Sequence, residues 1–263
     1  MLKKRAITGV IGLLALLSVL YLMPHEVARI VFAIIFIMAG WEWVNLLHKG
    51  SSLSKVTFLL TLYSMIFCVH FLETSITDTQ FIFIFSIFCW ALFLLCLFLY
   101  PVKITNFLAW IAGLIILFLG YFSVDWVFVN WGRDFFLSFL CIIWVMDIGA
   151  YFAGKNFGHL KLAPHVSPRK TWEGVIGGVA LVIIFSVFLS EFLNLDSFIF
   201  IPFAIAMGLL SVVGDLTISM FKRNAEVKDS GSLFPGHGGI LDRLDSIVSS
   251  APLFGLGLTL FFN

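Results

Sequence analysis

The feature of this sequence that most restricts its fold is a succession of apolar runs, each about as long as a bilayer is thick. A helix needs about 20 mostly apolar residues to cross a hydrocarbon core of ~30 Å. Nine runs meet this requirement, at residues 7–23, 27–47, 56–72, 81–100, 107–124, 135–154, 171–189, 198–220 and 246–262. The predicted fold class is therefore an all-α, polytopic membrane helix bundle with about nine transmembrane helices.

The composition excludes several other classes of protein. Hydrophobic residues make up 61% of the chain and charged residues only 12%, which is incompatible with a water-exposed surface. The formal net charge of +1 gives no reason to expect a nucleic-acid partner. The four cysteines form no CxxC pair and have no histidine at metal-ligand spacing, so we predict neither a disulfide framework nor a zinc site.

The positions of the basic residues predict the topology. With nine crossings and a cytoplasmic N-terminus, every lysine and arginine except Arg29 and Arg133 falls on the cytoplasmic side, as the positive-inside rule requires. The first run follows Lys3, Lys4 and Arg5 and has no A-x-A cleavage site, so we interpret it as an uncleaved helix. The short chain suggests a bacterial plasma membrane.

The polar chemistry is concentrated in the second half of the chain. We therefore divide it into hydrophobic scaffold helices at residues 1–134 and a catalytic region at residues 135–263, with the active site at the cytoplasmic face. The scaffold has one acid at depth, Glu42. It can pair with a polar group on another helix or reach water at its helix end, and we favour the structural pairing. The sequence leaves the oligomeric state open and is compatible with a homo-oligomer.

Further acids lie within apolar runs, where ionisable residues are costly and usually functional. Asp147 and Tyr151 are four residues apart and share a helix face with Gly154. A carboxylate, a phenol and a small residue on one face predict a groove for a substrate. Glu173 and Asp215 are the other two acids.

The segment that contains Glu173 is predicted to begin a helix. We expect Ser167 to cap that helix and Pro168 to occupy its first turn. Arg169 and Lys170 would then lie beside free backbone amides, which is an arrangement that binds phosphate. Inside-positive anchoring is an equally good explanation of these two cations.

The segment from Gly214 to Asp245 carries the densest chemistry. Asp215, Ser219 and Lys222 recur at helical spacing, which places an acid and a hydroxyl at depth and a cation nearer the surface. The run from Pro235 to Gly239 is too rich in glycine for a regular helix. Its backbone amides are suited to holding phosphate oxygens.

Two acids follow this loop at the start of the next helix, Asp242 and Asp245, with Arg243 between them. Asp215 and Asp242 come from different helices and could hold Mg²⁺ through one or two oxygens each, with substrate phosphates completing the shell. We include Asp245 as a further candidate ligand. A second cation is plausible by analogy with two-metal transfer.

This spaced pattern resembles the signature of the phosphatidate cytidylyltransferase family, also called CDP-diacylglycerol synthases. The signature positions are occupied by Ser219, Lys222, Arg223, Lys228, Asp229, Gly231, Pro235, His237, Gly238, Gly239, Asp242, Arg243 and Asp245. Residues 167–174 and the step from Asp147 to Tyr151 also look like family features. The resemblance thus covers roughly the last 120 residues.

The resemblance implies transfer of the cytidylyl group of CTP to phosphatidic acid, which releases pyrophosphate and gives CDP-diacylglycerol for phospholipid synthesis. The implied catalytic residues are Asp215, Asp242, Lys222, Arg223, Lys228, Asp229 and His237. The implied substrate-binding residues are Ser167, Arg169, Lys170, Ser219, Gly238, Gly239, Arg243, Asp147 and Tyr151. The implied partners are CTP, phosphatidic acid and the lipid bilayer.

Three other functions compete with this interpretation. A secondary transporter would use the buried acids as ion-coupling sites, but it should have them near the midplane of broken helices. A CDP-alcohol transferase should contain D-G-x₂-A-R-x₈-G-x₃-D-x₃-D, and this sequence does not. A purely structural scaffold leaves the intramembrane acids unexplained.

Overall fold

The computed structural model describes residues 2–47, 52–71, 75–231 and 238–262, with side chains from residue 9 onward. Within these ranges the chain forms eight helices and one short hairpin. In chain order they are α1 (Leu2–Leu22), α2 (His25–Leu47), α3 (Ser52–Val69), α4 (Ile76–Leu99), α5 (Asn106–Phe157), β1 (Lys161–Ala163), β2 (Ser167–Thr171), α6 (Trp172–Leu193), α7 (Ser197–Asn224) and α8 (Leu241–Phe261).

Seven of the helices in the described part of the chain are long and apolar enough to cross a membrane. This confirms the polytopic helix bundle. Each predicted run falls on one of the eight helices, and α5 contains two of the runs. The number of crossings and the side of the N-terminus stay predictions.

Helix α5 is interrupted at Gly132. Its 52 residues would extend about 78 Å as one straight helix, which is more than twice the thickness of a hydrocarbon core. Gly132 has a φ of 79°, a left-handed conformation that favours glycine, and it separates the two predicted runs at residues 107–124 and 135–154. The break therefore divides α5 into two helical segments.

The second segment of α5 packs closely against α6 through glycines. A Cβ atom at Gly149 would meet the backbone of Gly177 and Gly178 on α6, and one at Gly174 would meet the carbonyl oxygen of Ala150. Small residues let membrane helices approach at backbone distance. This close approach brings the groove of α5 next to the start of α6.

A buried ion pair connects α2 to the first segment of α5. The guanidinium of Arg29 donates to both oxygens of Asp125, with Nε–Oδ1 at 2.8 Å and a second nitrogen–Oδ2 distance of 2.9 Å. Arg133, the other arginine predicted outside, donates to the carbonyl oxygens of Tyr21 and Met23. Both arginines thus hold helix ends together at the same end of the bundle.

The predicted start of α6 at Ser167 is wrong. Ser167 lies in β2, where it pairs with Ala163 of β1, and Lys161 pairs with Thr171 at the other end of the hairpin. The helix begins at Trp172, and the hydroxyl of Thr171 caps it by accepting from the amide of Gly174 at 3.2 Å. Pairing with β1 keeps residues 167–171 extended, so Ser167 cannot serve as the cap.

Glu173 lies in the first turn of α6, as predicted. Its carboxylate accepts from the backbone amide of Leu160 at 3.0 Å, and the amide of Trp172 donates to the carbonyl oxygen of Leu160. These bonds close the base of the hairpin against the helix. Glu173 therefore has a structural partner in the hairpin.

Candidate active site

Two lysine–aspartate ion pairs join three elements at one end of the bundle. Nζ of Lys170, on β2, lies 2.6 Å from Oδ2 of Asp215 on α7. Nζ of Lys222, near the end of α7, lies 2.6 Å from Oδ1 of Asp242 in the first turn of α8. Both of the predicted carboxylates are thus brought to the region where α7 ends and α8 begins.

Asp215 has further neighbours on α7 and α8. Ser219, one turn later on α7, donates its hydroxyl to Oδ1 of Asp215 at 3.2 Å. Asp245 of α8 is close enough to repel Asp215 electrostatically and to be attracted by Lys170 and Lys222. Its own carboxylate accepts from the amide of Ser246 at 2.8 Å. Three acids and two lysines from β2, α7 and α8 therefore form one charged cluster.

The second oxygen of Asp242 holds the loop that precedes α8. Oδ2 accepts from the amide of Ser230 at 3.1 Å and from the amide of Gly239 at 3.0 Å. Gly238 has a φ of 78°, and a Cβ there would run into the same carboxylate. In this geometry the Gly239 amide binds a carboxylate of the protein, where the sequence predicted a phosphate oxygen.

Glu42, the single acid predicted at depth in the scaffold, reaches the same loop from α2. It accepts from the hydroxyl of Ser230 at 2.8 Å and from the amides of Ile240 and Leu241 at 3.0 and 2.9 Å. The side chain is buried. A Cβ atom at Gly239 would meet its carboxylate. Glu42 therefore caps the start of α8, a role that the sequence analysis did not assign.

Beside the charged cluster lies a cavity of about 370 Å³ between α5, β2 and α6. Asp147, Tyr151 and Gly154 line one wall, as their helical spacing predicted, and Arg169 and Lys170 line the other. Electrostatic interactions connect Asp147 with Lys170, with Asp215 and with Arg243 of α8. Lys155 also lines this cavity, with Nζ 5.9 Å from the centroid of the Tyr151 ring.

The remaining predicted residues are distributed around this cluster. Arg223 donates through Nε to the carbonyl oxygen of Val166 in the hairpin and through a second nitrogen to that of Val227, both at 3.1 Å. Lys228 and Asp229 are exposed in the connection between α7 and α8. Ser167 is half-buried in β2. His237 lies outside the described residues.

The sequence matches the cytidylyltransferase family over residues 3–261. The chain belongs to this family.

Two curated relatives of this cytidylyltransferase are similar over nearly their whole length. The phosphatidate cytidylyltransferase of Haemophilus influenzae is 34% identical, with 97% of each chain covered. The phosphatidate cytidylyltransferase of Pseudomonas aeruginosa is 32% identical, with 97% of this chain and 96% of the relative covered. That of Thermotoga maritima is 38% identical over 50% of this chain and 56% of its own length.

The acids of the cytidylyltransferase cluster are suited to Mg²⁺ by their chemistry. Among the described residues there is no group of three histidine, cysteine, aspartate or glutamate side chains placed to hold a metal ion. Mg²⁺ needs only one or two carboxylates when substrate phosphates complete its shell. One oxygen of Asp215 on α7 and one of Asp242 on α8 each lie 2.6 Å from a lysine ammonium, so both already face a cationic partner. Carboxylate oxygens from two helices in such surroundings fit the ion.

Proposed function

We propose that this cytidylyltransferase transfers the cytidylyl group of CTP to phosphatidic acid, giving CDP-diacylglycerol and pyrophosphate. The observation that carries the proposal is the pair of lysine-neutralised aspartates, Lys170–Asp215 and Lys222–Asp242, beside a cavity with further cations. The cations of such a cluster can bind several phosphates, and its carboxylates lie beside the same phosphates. The relatives that match nearly their full length are named for this reaction.

The cations of the cavity bind the triphosphate of CTP. Arg169 and Lys170 stand on one wall and Lys155 on the other, so a polyphosphate between them is neutralised from both sides. Lys170 also touches Asp215, which positions the bound phosphates next to the acids of α7 and α8. Preorganised cations of this kind lower the barrier because they stabilise charge that develops on the phosphates during transfer.

The reaction itself is an in-line displacement at the α-phosphorus of CTP. An oxygen of the phosphatidate phosphate forms a bond to that phosphorus, and the bond from the phosphorus to the oxygen that bridges the α- and β-phosphates breaks. Pyrophosphate leaves with the electron pair. The attacking oxygen is already largely ionised near neutral pH, so the reaction needs little general base.

Asp215 and Asp242 are the residues that would hold Mg²⁺, and Asp245 is a further candidate on the same turn of α8. When bound, the ion supplies charge neutralisation for the phosphates of CTP and a template for the in-line geometry. Lys170 and Lys222 now neutralise two of these carboxylates. With Mg²⁺ bound, these ammonium groups would be available to contact the substrate phosphates. Ser219 keeps Asp215 oriented through its hydroxyl.

The enzyme lies in a membrane, since seven of the helices described are apolar enough to cross one. We further propose a bacterial plasma membrane, with the charged cluster facing the cytoplasm. Curated relatives from bacteria support this assignment, as does the distribution of lysine and arginine. This orientation would let a cytosolic nucleotide meet a lipid phosphate of the inner leaflet.

The experiment that tests the function follows the α-phosphate and the γ-phosphate of CTP separately. Detergent-purified protein is incubated with phosphatidic acid, Mg²⁺ and CTP labelled at either the α- or the γ-phosphate. We expect the α-label to enter a chloroform-soluble product and the γ-label to appear in pyrophosphate. Label in neither product, from protein that is folded and monodisperse, would overturn the proposed reaction.

A further inference from the structure

A second cavity of about 490 Å³ lies between α1, α2, α5 and α8. It is lined by Gly12 and Leu16 of α1, by Phe36 of α2 and by Leu140 and Trp144 of α5, and Arg243 of α8 stands on its wall. Arg243 is the one charged residue among the described lining residues. The cavity is therefore an apolar space with a single cation.

The cavity extends along the helices. Phe136, Leu140 and Trp144 all line it, and their spacing of four residues covers two helical turns, or about 12 Å. On the opposite side, a Cβ atom at Gly9 or Gly12 of α1 would meet nothing within 4 Å. The two glycines leave the space open along α1. An extended apolar chain fits this shape better than a compact ligand does.

The described contacts of α1 explain why the space persists. Tyr21, near the end of α1, donates its hydroxyl to Asp134 at 2.7 Å, and Arg133 donates to the carbonyl oxygens of Tyr21 and Met23. These bonds fix the last turn of α1 to the bundle. Gly9 and Gly12 lie two to three turns earlier, where the helix lines the cavity.

Arg243 connects this cavity to the proposed active site. It follows Asp242 in the first turn of α8, is exposed, and interacts electrostatically with Asp147 on the wall of the other cavity. A guanidinium in this position can contact a phosphate from the apolar side of the charged cluster. A ligand that is anionic at one end and apolar beyond it would match both the cation and the walls.

We propose that this cavity holds one acyl chain of the phosphatidate substrate, with Arg243 contacting the lipid phosphate. The proposal rests on the proposed function and names the site of its lipid. The chain gains little hydrophobic free energy by moving from the bilayer into the cavity, because lipid tails are as apolar as the walls. The cavity acts by alignment: it places the phosphate beside Asp242 and the charged cluster.

The test fills the cavity from α1 and compares two lipids of different chain length. Gly12→Ala, Gly12→Leu and Gly12→Phe add increasing volume, and Ile11→Phe is the matched control because Ile11 is 59% exposed and does not line the cavity. KM is measured for dioleoyl and dioctanoyl phosphatidic acid in detergent micelles. KM for CTP is measured in parallel.

We expect KM for the dioleoyl lipid to rise with side-chain volume, by about tenfold in Gly12→Phe, as steric discrimination in an apolar pocket predicts. KM for the dioctanoyl lipid and for CTP should stay within about twofold. Ile11→Phe should resemble the unchanged protein. Activity toward the dioctanoyl lipid shows that each variant is folded and that the proposed function holds.

Unchanged kinetics in Gly12→Phe would overturn the proposal, since the cavity would then hold only bulk lipid or detergent. An equal rise in KM for the two lipids would also overturn the proposal, provided that Gly12→Leu and Gly9→Leu show the same equal rise. If the unchanged protein transfers no label to either lipid, the proposed function fails, which is a separate result.

Discussion

At the residue scale, the clearest relation between sequence and site is Glu42. An acid in an apolar helix predicted a polar partner on another helix, and the structure supplies three donors from Ser230, Ile240 and Leu241. The identity of the partner could not be predicted. Nearly 200 residues separate Glu42 from the start of α8, and local sequence patterns carry no information on such a contact.

Replacing Glu42 with glutamine tests its role in positioning the loop. The amide has one acceptor oxygen and no charge, so at least one charge-assisted bond is lost, at a cost of about 2 kcal/mol. We expect the rate of label transfer to fall about tenfold, which is less than for Asp215→Asn. The matched control is Glu26→Gln on the same helix, where the side chain is 74% exposed. Equal activity in the two variants would contradict the positioning role.

At the element scale, the sequence predicted the helices well and the hairpin not at all. The sequence predicted Ser167 as the cap because Pro168 follows it, whereas the structure uses Thr171. Pairing with β1 decides between them. The consequence for the site is direct, because β2 carries Arg169 and Lys170 into the cavity wall.

The contact between Arg223 and the hairpin gives a prediction at this scale. Arg223→Gln removes the bonds to the carbonyl oxygens of Val166 and Val227, so the hairpin loses one attachment to α7 and keeps the ion pair between Lys170 and Asp215. We expect the backbone amides of residues 161–171 to exchange hydrogen about tenfold faster, and KM for CTP to rise. The control is Lys161→Gln, which changes the charge of the hairpin and leaves the two bonds intact. Unchanged hydrogen exchange of these amides in Arg223→Gln would show that Arg223 does not hold the hairpin to α7.

At the scale of the whole molecule, the apolar runs predicted the bundle, but the packing of its helices could not be predicted. Association of membrane helices depends on small residues and polar contacts rather than on a hydrophobic face. Hydropathy therefore cannot test the division into a scaffold at residues 1–134 and a catalytic region at residues 135–263. Glu42 shows the interdependence of the two regions, since it lies in the first and holds a loop of the second.

Replacing Arg29 tests whether its ion pair with Asp125 stabilises the bundle at a distance from the site. Arg29→Gln leaves Asp125 buried without its cation, which costs about 3 kcal/mol or more. We expect a lower thermal midpoint in detergent, with KM for CTP unchanged in the protein that remains folded. The double variant Arg29→Gln, Asp125→Asn should recover part of the loss. A thermal midpoint equal to that of the unchanged protein would show that the ion pair does not stabilise the bundle.

The measurement that tests the central claim most directly is transfer of the α-label in Asp215→Asn and Asp242→Asn, with Asp78→Asn as the control. Asp78 is an acid at the start of α4 that hydrogen-bonds with Ser75. Each variant is assayed with phosphatidic acid over a range of Mg²⁺ concentrations after its elution profile and helicity have been checked. We predict loss of transfer by at least about 100-fold in both site variants, at every Mg²⁺ concentration, and full activity in Asp78→Asn. Near-normal transfer in either site variant would contradict the assignment of catalysis to the ion-paired aspartates of α7 and α8.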